Sequence, residues 1–280
     1  MMAGVSIDAD PRQLQVHRDP PQRDVPYVPT DEPVVAAMLR FAHVGPADVL
    51  YDLGCGDGRI VIAAARLCGA RGVGVDIDPQ RIAEAREHAR RARVEDRVRF
   101  LCQSFFETDL HEASVVALYL LPSINVKLRP KLLEELRPGA RIIANHFDMG
   151  DWKPDMQAYA HHRTLHQWIV PAWVAGKWKC VVNHPSGRYH LGLELRRRFQ
   201  VVSGTARKGR QNMPLLNGRL FADHLTFKLV DWARPGPAIR FNARIEGTQL
   251  RGTCHEGWDG LPIEWGGRWV GSVGRAQAGT

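Results

Sequence analysis

The stretch Val49-Leu50-Tyr51-Asp52-Leu53-Gly54-Cys55-Gly56-Asp57-Gly58-Arg59-Ile60 constrains this chain more than any other. An apolar run with β-branched and aromatic residues predicts a buried strand. It breaks into Gly-x-Gly-x-Gly and resumes as Ile60-Val61-Ile62-Ala63-Ala64-Ala65, which reads as a helix. Glycines at a strand-to-helix turn let the backbone take positive φ and approach a ligand with no Cβ in the way. That layout belongs to nucleotide-type cofactor sites on doubly wound α/β sheets.

Two details choose the cofactor. The dinucleotide fingerprint Gly-x-Gly-x-x-Gly places a pyrophosphate on the helix N-terminus. Counted from Gly54, the third glycine comes one place early, at Gly58, and Arg59 fills the slot that glycine would need. Carboxylates also flank the turn, Asp52 at the strand end and Asp57 within it. Anions this close would repel a diphosphate. A cofactor carrying an ammonium and a sulfonium would be attracted, and S-adenosylmethionine fits that description.

A second acidic landmark follows in Arg71-Gly72-Val73-Gly74-Val75-Asp76-Ile77-Asp78-Pro79, which reads as the next strand. An acid about 20 residues after the glycine turn accepts hydrogen bonds from ribose hydroxyls. Asp76 takes that role, because Asp78 precedes Pro79 and suits the N-cap of a helix over 80–93.

With these residues in hand, 26–155 resembles the class I methyltransferases that use S-adenosylmethionine. Within that class it is most similar to the seven-strand lysine methyltransferases of mitochondria, which modify the ATP synthase c subunit and the adenine nucleotide translocase, and to their bacterial relatives. The resemblance rests on Tyr27-Val28-Pro29-Thr30, on the glycine turn, on Leu136-Arg137-Pro138-Gly139-Ala140-Arg141-Ile142-Ile143 and on Asp151-Trp152-Lys153-Pro154. It implies Asp52, Gly54, Cys55 and Gly56 around the methionine moiety, Asp76 with Ile77 at the ribose, and Thr30 near the cofactor's carboxylate. The family's acid after the third strand is replaced here by Ser104, followed by Phe105. A hydroxyl accepts the adenine amine more weakly than a charged group does.

Composition implies two units. All eight tryptophans lie at or beyond Trp152. Residues 1–155 hold 20 Lys+Arg against 23 Asp+Glu, and 156–280 hold 18 against 7, so the net charge changes from −3 to +11. The expected organisation is therefore a disordered leader over 1–25, the methyltransferase domain over 26–155, and a basic β-rich domain over 156–280. No window approaches the roughly 18 apolar residues of a membrane span. Five cysteines without Cys-x-x-Cys spacing favour free thiols in a reducing cytoplasm.

The first unit alternates strand and helix, with further strands at 98–101, 114–121 and 141–145 and a helix over 126–136. This predicts a Rossmann-like, doubly wound α/β sheet with ligand sites beyond the carboxyl ends of its strands. Residues 188–199, 224–230, 239–245 and 262–269 alternate in polarity instead, the pattern of an antiparallel half-barrel or sandwich. Trp168, Trp173 and Trp178 read as packing for that core. Arg197 shares the apolar parity of Leu191, Leu193 and Leu195, so it either meets an anion or is turned outward by a β-bulge. The cluster Arg207-Lys208-Gly209-Arg210, with Arg196 and Arg198, suits an acidic partner: protein, anionic lipid or RNA.

Methyl transfer is an in-line displacement, so a protein positions the reactants and tunes the nucleophile. Enzymes that methylate base amino groups carry Asn/Asp-Pro-Pro-Tyr/Phe after the fourth strand. This chain has Tyr119-Leu120-Leu121-Pro122-Ser123, an apolar mouth that suits a desolvated lysine. Tyr119 would form its wall, and His146 or Asp148 after the fifth strand could accept a proton. No metal is expected, since His161, His162 and His166 lack acid or cysteine partners. The readings carried forward are a lysine methyltransferase, a small-molecule methyltransferase with the β-unit as lid, and a non-catalytic binding protein on the same scaffold.

Overall fold

The computed structural model describes residues 28–230, 236–257 and 260–272. The leader expected over 1–25 lies outside them, as does Tyr27. The chain begins with α1 (Glu32–Phe41), β1 (Val49–Leu53), α2 (Arg59–Cys68), β2 (Arg71–Asp76) and α3 (Pro79–Ala92). It continues through β3 (Val98–Cys102), β4 (Val115–Leu118), α4 (Pro122–Glu135), β5 (Arg141–Asn145), β6 (Met156–Ala160) and β7 (Arg163–Ile169). These strands form one seven-stranded sheet in the order β3-β2-β1-β4-β5-β7-β6. The first five run parallel, and β7 lies antiparallel to β5.

Every residue of β1 and β4 is buried, as a parallel sheet covered on both faces requires. Helices α1, α2 and α3 cover one face, while α4, Trp152 and Trp168 cover the other. Local chemistry sets the helix ends. The Asp78 carboxylate accepts from the Gln80 amide at 2.9 Å ahead of Pro79, and Gly69 closes α2 in the left-handed region. Helix α4 starts at Pro122 rather than at 126, because proline is pre-shaped for the first helical position.

The second sheet comprises β8 (Gly176–His184), β9 (Gly187–Arg198), β10 (Val201–Lys208), β11 (Gln211–Pro214), β12 (Leu216–Phe221), β13 (His224–Leu229), β14 (Ile239–Glu246), β15 (Gln249–Glu256) and β16 (Ile263–Gly271). Strand β10 pairs with β9 along one edge and with β11 then β12 along the other, so β11 and β12 share one stave. Strand β16 pairs back onto β8, and the antiparallel sheet closes into an up-and-down barrel. It is closed outright, where the sequence suggested a half-barrel or sandwich. Alternate residues point in and fill it: Phe227 and Phe241 stack with centroids 4.8 Å apart, both edge-on to Trp265.

Two expectations need correction. The change of architecture does not fall at 155, because β6 and β7 extend the first sheet to Ile169. Nor, among the described residues, does Arg197 meet an anion, and it does not sit in a bulge: β9 and β10 pair without interruption from Val201↔Arg198 to Arg207↔Gly192. Its guanidinium instead caps the end of the barrel, donating to the Pro171 carbonyl at 2.9 Å and lying 5.0 Å from the ring of Trp173. Trp173 itself is 66% exposed, unlike the buried Trp168 and Trp178.

The barrel adjoins the first sheet away from the carboxyl ends of the parallel strands. The Ala172 amide donates to Ala222 of the β12–β13 turn at 2.8 Å, next to the Val170–Ala140 pairing at the start of β5. Trp152 stacks on Phe199 at 5.5 Å and donates to Gln200 at 2.9 Å, and Arg198 reaches Asp151 at 2.6 Å.

Candidate active site

The carboxyl ends of β1, β2 and β4 open into a crevice. At the end of β1 the chain reverses through Gly54, with φ of +83°, where a Cβ would lie 3.0 Å from the Leu120 side chain. The Gly54 and Cys55 amides donate to the Val75 carbonyl at 2.8 and 3.0 Å. Asp76 ties the two turns together, one carboxylate oxygen accepting from the Gly56 amide at 2.9 Å and the other from the Asp78 amide at 3.0 Å.

Thr30, Asp52, Gly54, Cys55 and Asp76 all line this crevice, together with Ile77, Ser104, Phe105 and Tyr119. Gly56 contributes through its bond to Asp76 instead of as a wall. Sequence reasoning passed over Arg59, Arg81 and Leu120, which also line it. Arg59 stood in the sequence only as an obstacle to a pyrophosphate. In the fold it forks onto Asp57 at 2.6 and 2.9 Å and donates to the Thr30 carbonyl at 2.9 Å, binding the segment 28–30 as a wall.

Electrostatics favour a cation. Asp52 is 3% exposed, and burial, then the charges of Asp76 and Asp57, push its carboxyl up to about 8. The same burial, followed by Asp52, raises the Cys55 thiol, which favours its neutral form. Burial and its two acidic neighbours thus favour a protonated Asp52 carboxyl, and a positive group arriving beside it would favour the ionised form.

The proton acceptors expected after β5 lie elsewhere. Neither His146 nor Asp148 lines the crevice. The exposed His146 has φ of +71°, and its backbone is held by Thr164 at 2.8 Å and by the ring of His166 at 3.2 Å. Asp148 caps its own turn by accepting from the Gly150 amide at 3.0 Å. Phe147 between them reaches the rim, stacked on Tyr119 with centroids 6.1 Å apart, and Arg163 sits 5.9 Å from the Tyr119 ring. Asn145 ends β5 with its amide nitrogen 3.5 Å from the Thr30 hydroxyl, while its carbonyl oxygen is buried without a partner.

Among the described residues one trio, Asp109, His111 and Glu135, gathers ligand atoms within 4.8 Å. Glu135 there is already bound to Lys131 at 2.5 Å and to the Leu110 amide at 3.0 Å, so the trio is a surface ion-pair network.

A glycine turn that allows close backbone approach, a buried acidic floor and a second acid closing the turn fit a cationic nucleoside. Together with the sheet order they define a methyltransferase dependent on S-adenosylmethionine. The chain belongs to the family described as the ANTKMT methyltransferase domain, which matches residues 52–156. A protein-lysine N-methyltransferase of Saccharolobus islandicus is 46% identical over 131 residues, covering 46% of this chain and 81% of that protein. The adenine nucleotide translocase lysine N-methyltransferase of Mus musculus is 35% identical, covering 49% of this chain and 59% of the mouse protein. A crystal structure titled as an RNA methyltransferase from Salinibacter ruber with S-adenosyl-L-homocysteine is 52% identical at a TM-score of 0.52, covering 52% of this chain and 96% of that one. Each match leaves about half of the present chain unaccounted for.

Proposed function

We propose that this methyltransferase acts on the side-chain amine of a protein lysine. The observation that carries the reading is the mouth after β4, where Tyr119, Leu120, Leu121 and Pro122 present no amide or acid to a nucleobase amine. The names of the Saccharolobus and mouse relatives support it. In this reading Asp52 faces the cofactor's cationic methionine end, with Gly54, Cys55 and Gly56 giving close backbone approach. Thr30 lies toward its carboxylate, Asp76 and Ile77 toward the ribose, and Ser104 with Phe105 toward the adenine.

When bound, S-adenosylmethionine supplies a methyl group made electrophilic by the sulfonium. The protein's part is to hold the acceptor in line and to deliver its amine uncharged. An apolar rim desolvates the incoming lysine, and the Arg163 guanidinium above Tyr119 adds like-charge repulsion; both lower the amine's pKa. The proton then leaves to solvent before transfer, and no crevice-lining base is required. No helix among the described residues is long and apolar enough to cross a membrane. We place the enzyme in the cytoplasm, in keeping with five unpaired cysteines.

RNA is the second acceptor worth testing, because the Salinibacter structure carries that title. Incubation with methyl-labelled cofactor and a host lysate, then separation into protein, RNA and small molecules, decides between them. Label recovered as methyl-lysine is the expected result. Label confined to RNA or to low-mass material overturns the reading.

A further inference from the structure

The barrel's interior is filled with side chains, so whatever it binds must meet its outer wall. That wall carries like charges placed directly opposite one another. Lys179 on β8 faces Arg268 on β16, and on its other side faces Gly192 on β9, which in turn faces Arg207 on β10. Residues directly opposite in an antiparallel pair share a face, so these positions form one row across four staves. Lys179, Arg207 and Arg268 are exposed, and among the described residues none of them makes an ion pair with a carboxylate.

Like charges directly opposite destabilise a sheet. Salt bridges relieve some of them: Arg244 and Arg251 face each other, but Asp223 and Glu246 pair with them at 2.8 and 3.7 Å. In the neighbouring row Lys177 is matched by Glu194 at 3.5 Å. Among the described residues the Lys179 row has no such relief, and 156–280 as a whole carries a net charge of +11. An external polyanion would provide it.

We infer that this row is a binding face for the phosphodiester backbone of a nucleic acid. Charge and space at the row suit a phosphodiester backbone. The guanidinium forks of the exposed Arg207 and Arg268 can grip phosphate oxygens bidentately, as they can carboxylates, so the distinction between the two falls to the shape of the row and to competition by polyglutamate. Gly192 also leaves a gap in the row, with no other atom nearer than 4.0 Å to where its Cβ would stand, so a bulky backbone can come close. The face lies on the barrel, whereas the crevice is lined wholly by residues between 28 and 120. A nucleic acid held here is therefore an anchor, and the inference stands whichever acceptor is methylated.

The test is fluorescence anisotropy of the full chain with a labelled single-stranded RNA of about 20 nucleotides, long enough to cross the row. Three neutralised phosphates would weaken binding roughly 20-fold between 50 and 200 mM salt. Lys179→Glu with Arg268→Glu should weaken it at least about tenfold and flatten the salt dependence. Arg90→Glu with Arg91→Glu on α3, the same change in net charge, should not. Retained circular dichroism and S-adenosylhomocysteine affinity show that both variants fold. Equal loss in both pairs, no loss in the Lys179 pair, displacement of RNA by polyglutamate at matched charge, or tighter binding to anionic lipid vesicles would each overturn the inference.

Discussion

The two sheets of this protein bury their apolar residues in opposite ways, and that difference decides where chemistry can occur. In the first, β1 and β4 are buried on both faces, and the turns after Leu53, Asp76 and Leu118 leave a crevice at the strand ends. In the barrel, β8 alternates buried and exposed along its length and the buried half fills the interior. A parallel sheet stacked between helices exposes an edge of loops. A closed, filled barrel exposes only a wall. Catalysis and recognition should therefore be separable, and mutations can test it.

The largest effect expected is on stability. Phe227 is 2% exposed between Phe241 and Trp265, and Phe227→Ala should cost about 3–5 kcal/mol in the urea unfolding of the barrel. Affinity for S-adenosylhomocysteine, measured by calorimetry in the folded range, should not move. A parallel loss of affinity would mean that barrel and crevice are one cooperative unit. The mirror experiment is Asp76→Ala, which removes both acceptor oxygens that join the turns after β1 and β2. Buried amides left without charged acceptors should lower cofactor affinity about 100-fold. RNA binding by the barrel should be unchanged.

How much of this was readable before the fold was known follows the same divide. The glycine turn, Asp52 and Asp76 were legible because short-range chemistry fixes them: backbone geometry forces the glycines, and charge selects the cofactor. The Asp57–Arg59–Thr30 bracket was not, since it depends on α2 turning Arg59 back toward a segment 29 residues earlier. In the barrel the alternation of 188–199 was plain, yet closure was not, because the β16–β8 pairing joins residues more than 80 apart. Arg197 shows the limit of parity arguments: it does point with Leu195, but the barrel ends there, and backbone carbonyls of Pro171 and Ala172 replace the anion that parity demanded. After β5, the position that suggested His146 and Asp148 carries Phe147 between them, and it is this ring that stacks on the crevice-lining Tyr119.

A smaller effect is the crevice's dependence on pH. With the Asp52 carboxyl near 8 before cofactor binds, a cationic ligand favours its ionised form, so binding releases a proton below that value. Affinity for S-adenosylmethionine should rise as pH increases from 6 to 8, at most about tenfold per unit, and level off above. S-adenosylhomocysteine, without the sulfonium charge, should respond less. The folded protein alone behaves oppositely. Between about 4 and 8 the unfolded chain has already lost the proton that folded Asp52 retains, so this group makes stability fall as pH rises. Asp52→Asn should abolish both slopes, and equal slopes for the two ligands would show that the sulfonium is not what Asp52 senses.

The smallest change should follow at His146, and it bears on whether the reaction needs a base at all. Alanine is a poor probe there, because φ of +71° penalises it for reasons unrelated to chemistry; asparagine tolerates that region. His146→Asn keeps the backbone bonds to Thr164 and His166 and removes only an exposed ring that touches Phe147 at 4.7 Å. Turnover on the methylated substrate should stay within about twofold across pH 7–9, since a general base contributes 100-fold or more when it acts. A 100-fold loss, recovered as pH rises far enough to deprotonate the acceptor, would put the imidazole in the proton path. It would also mean that the apolar rim and Arg163 do not by themselves deliver a neutral amine.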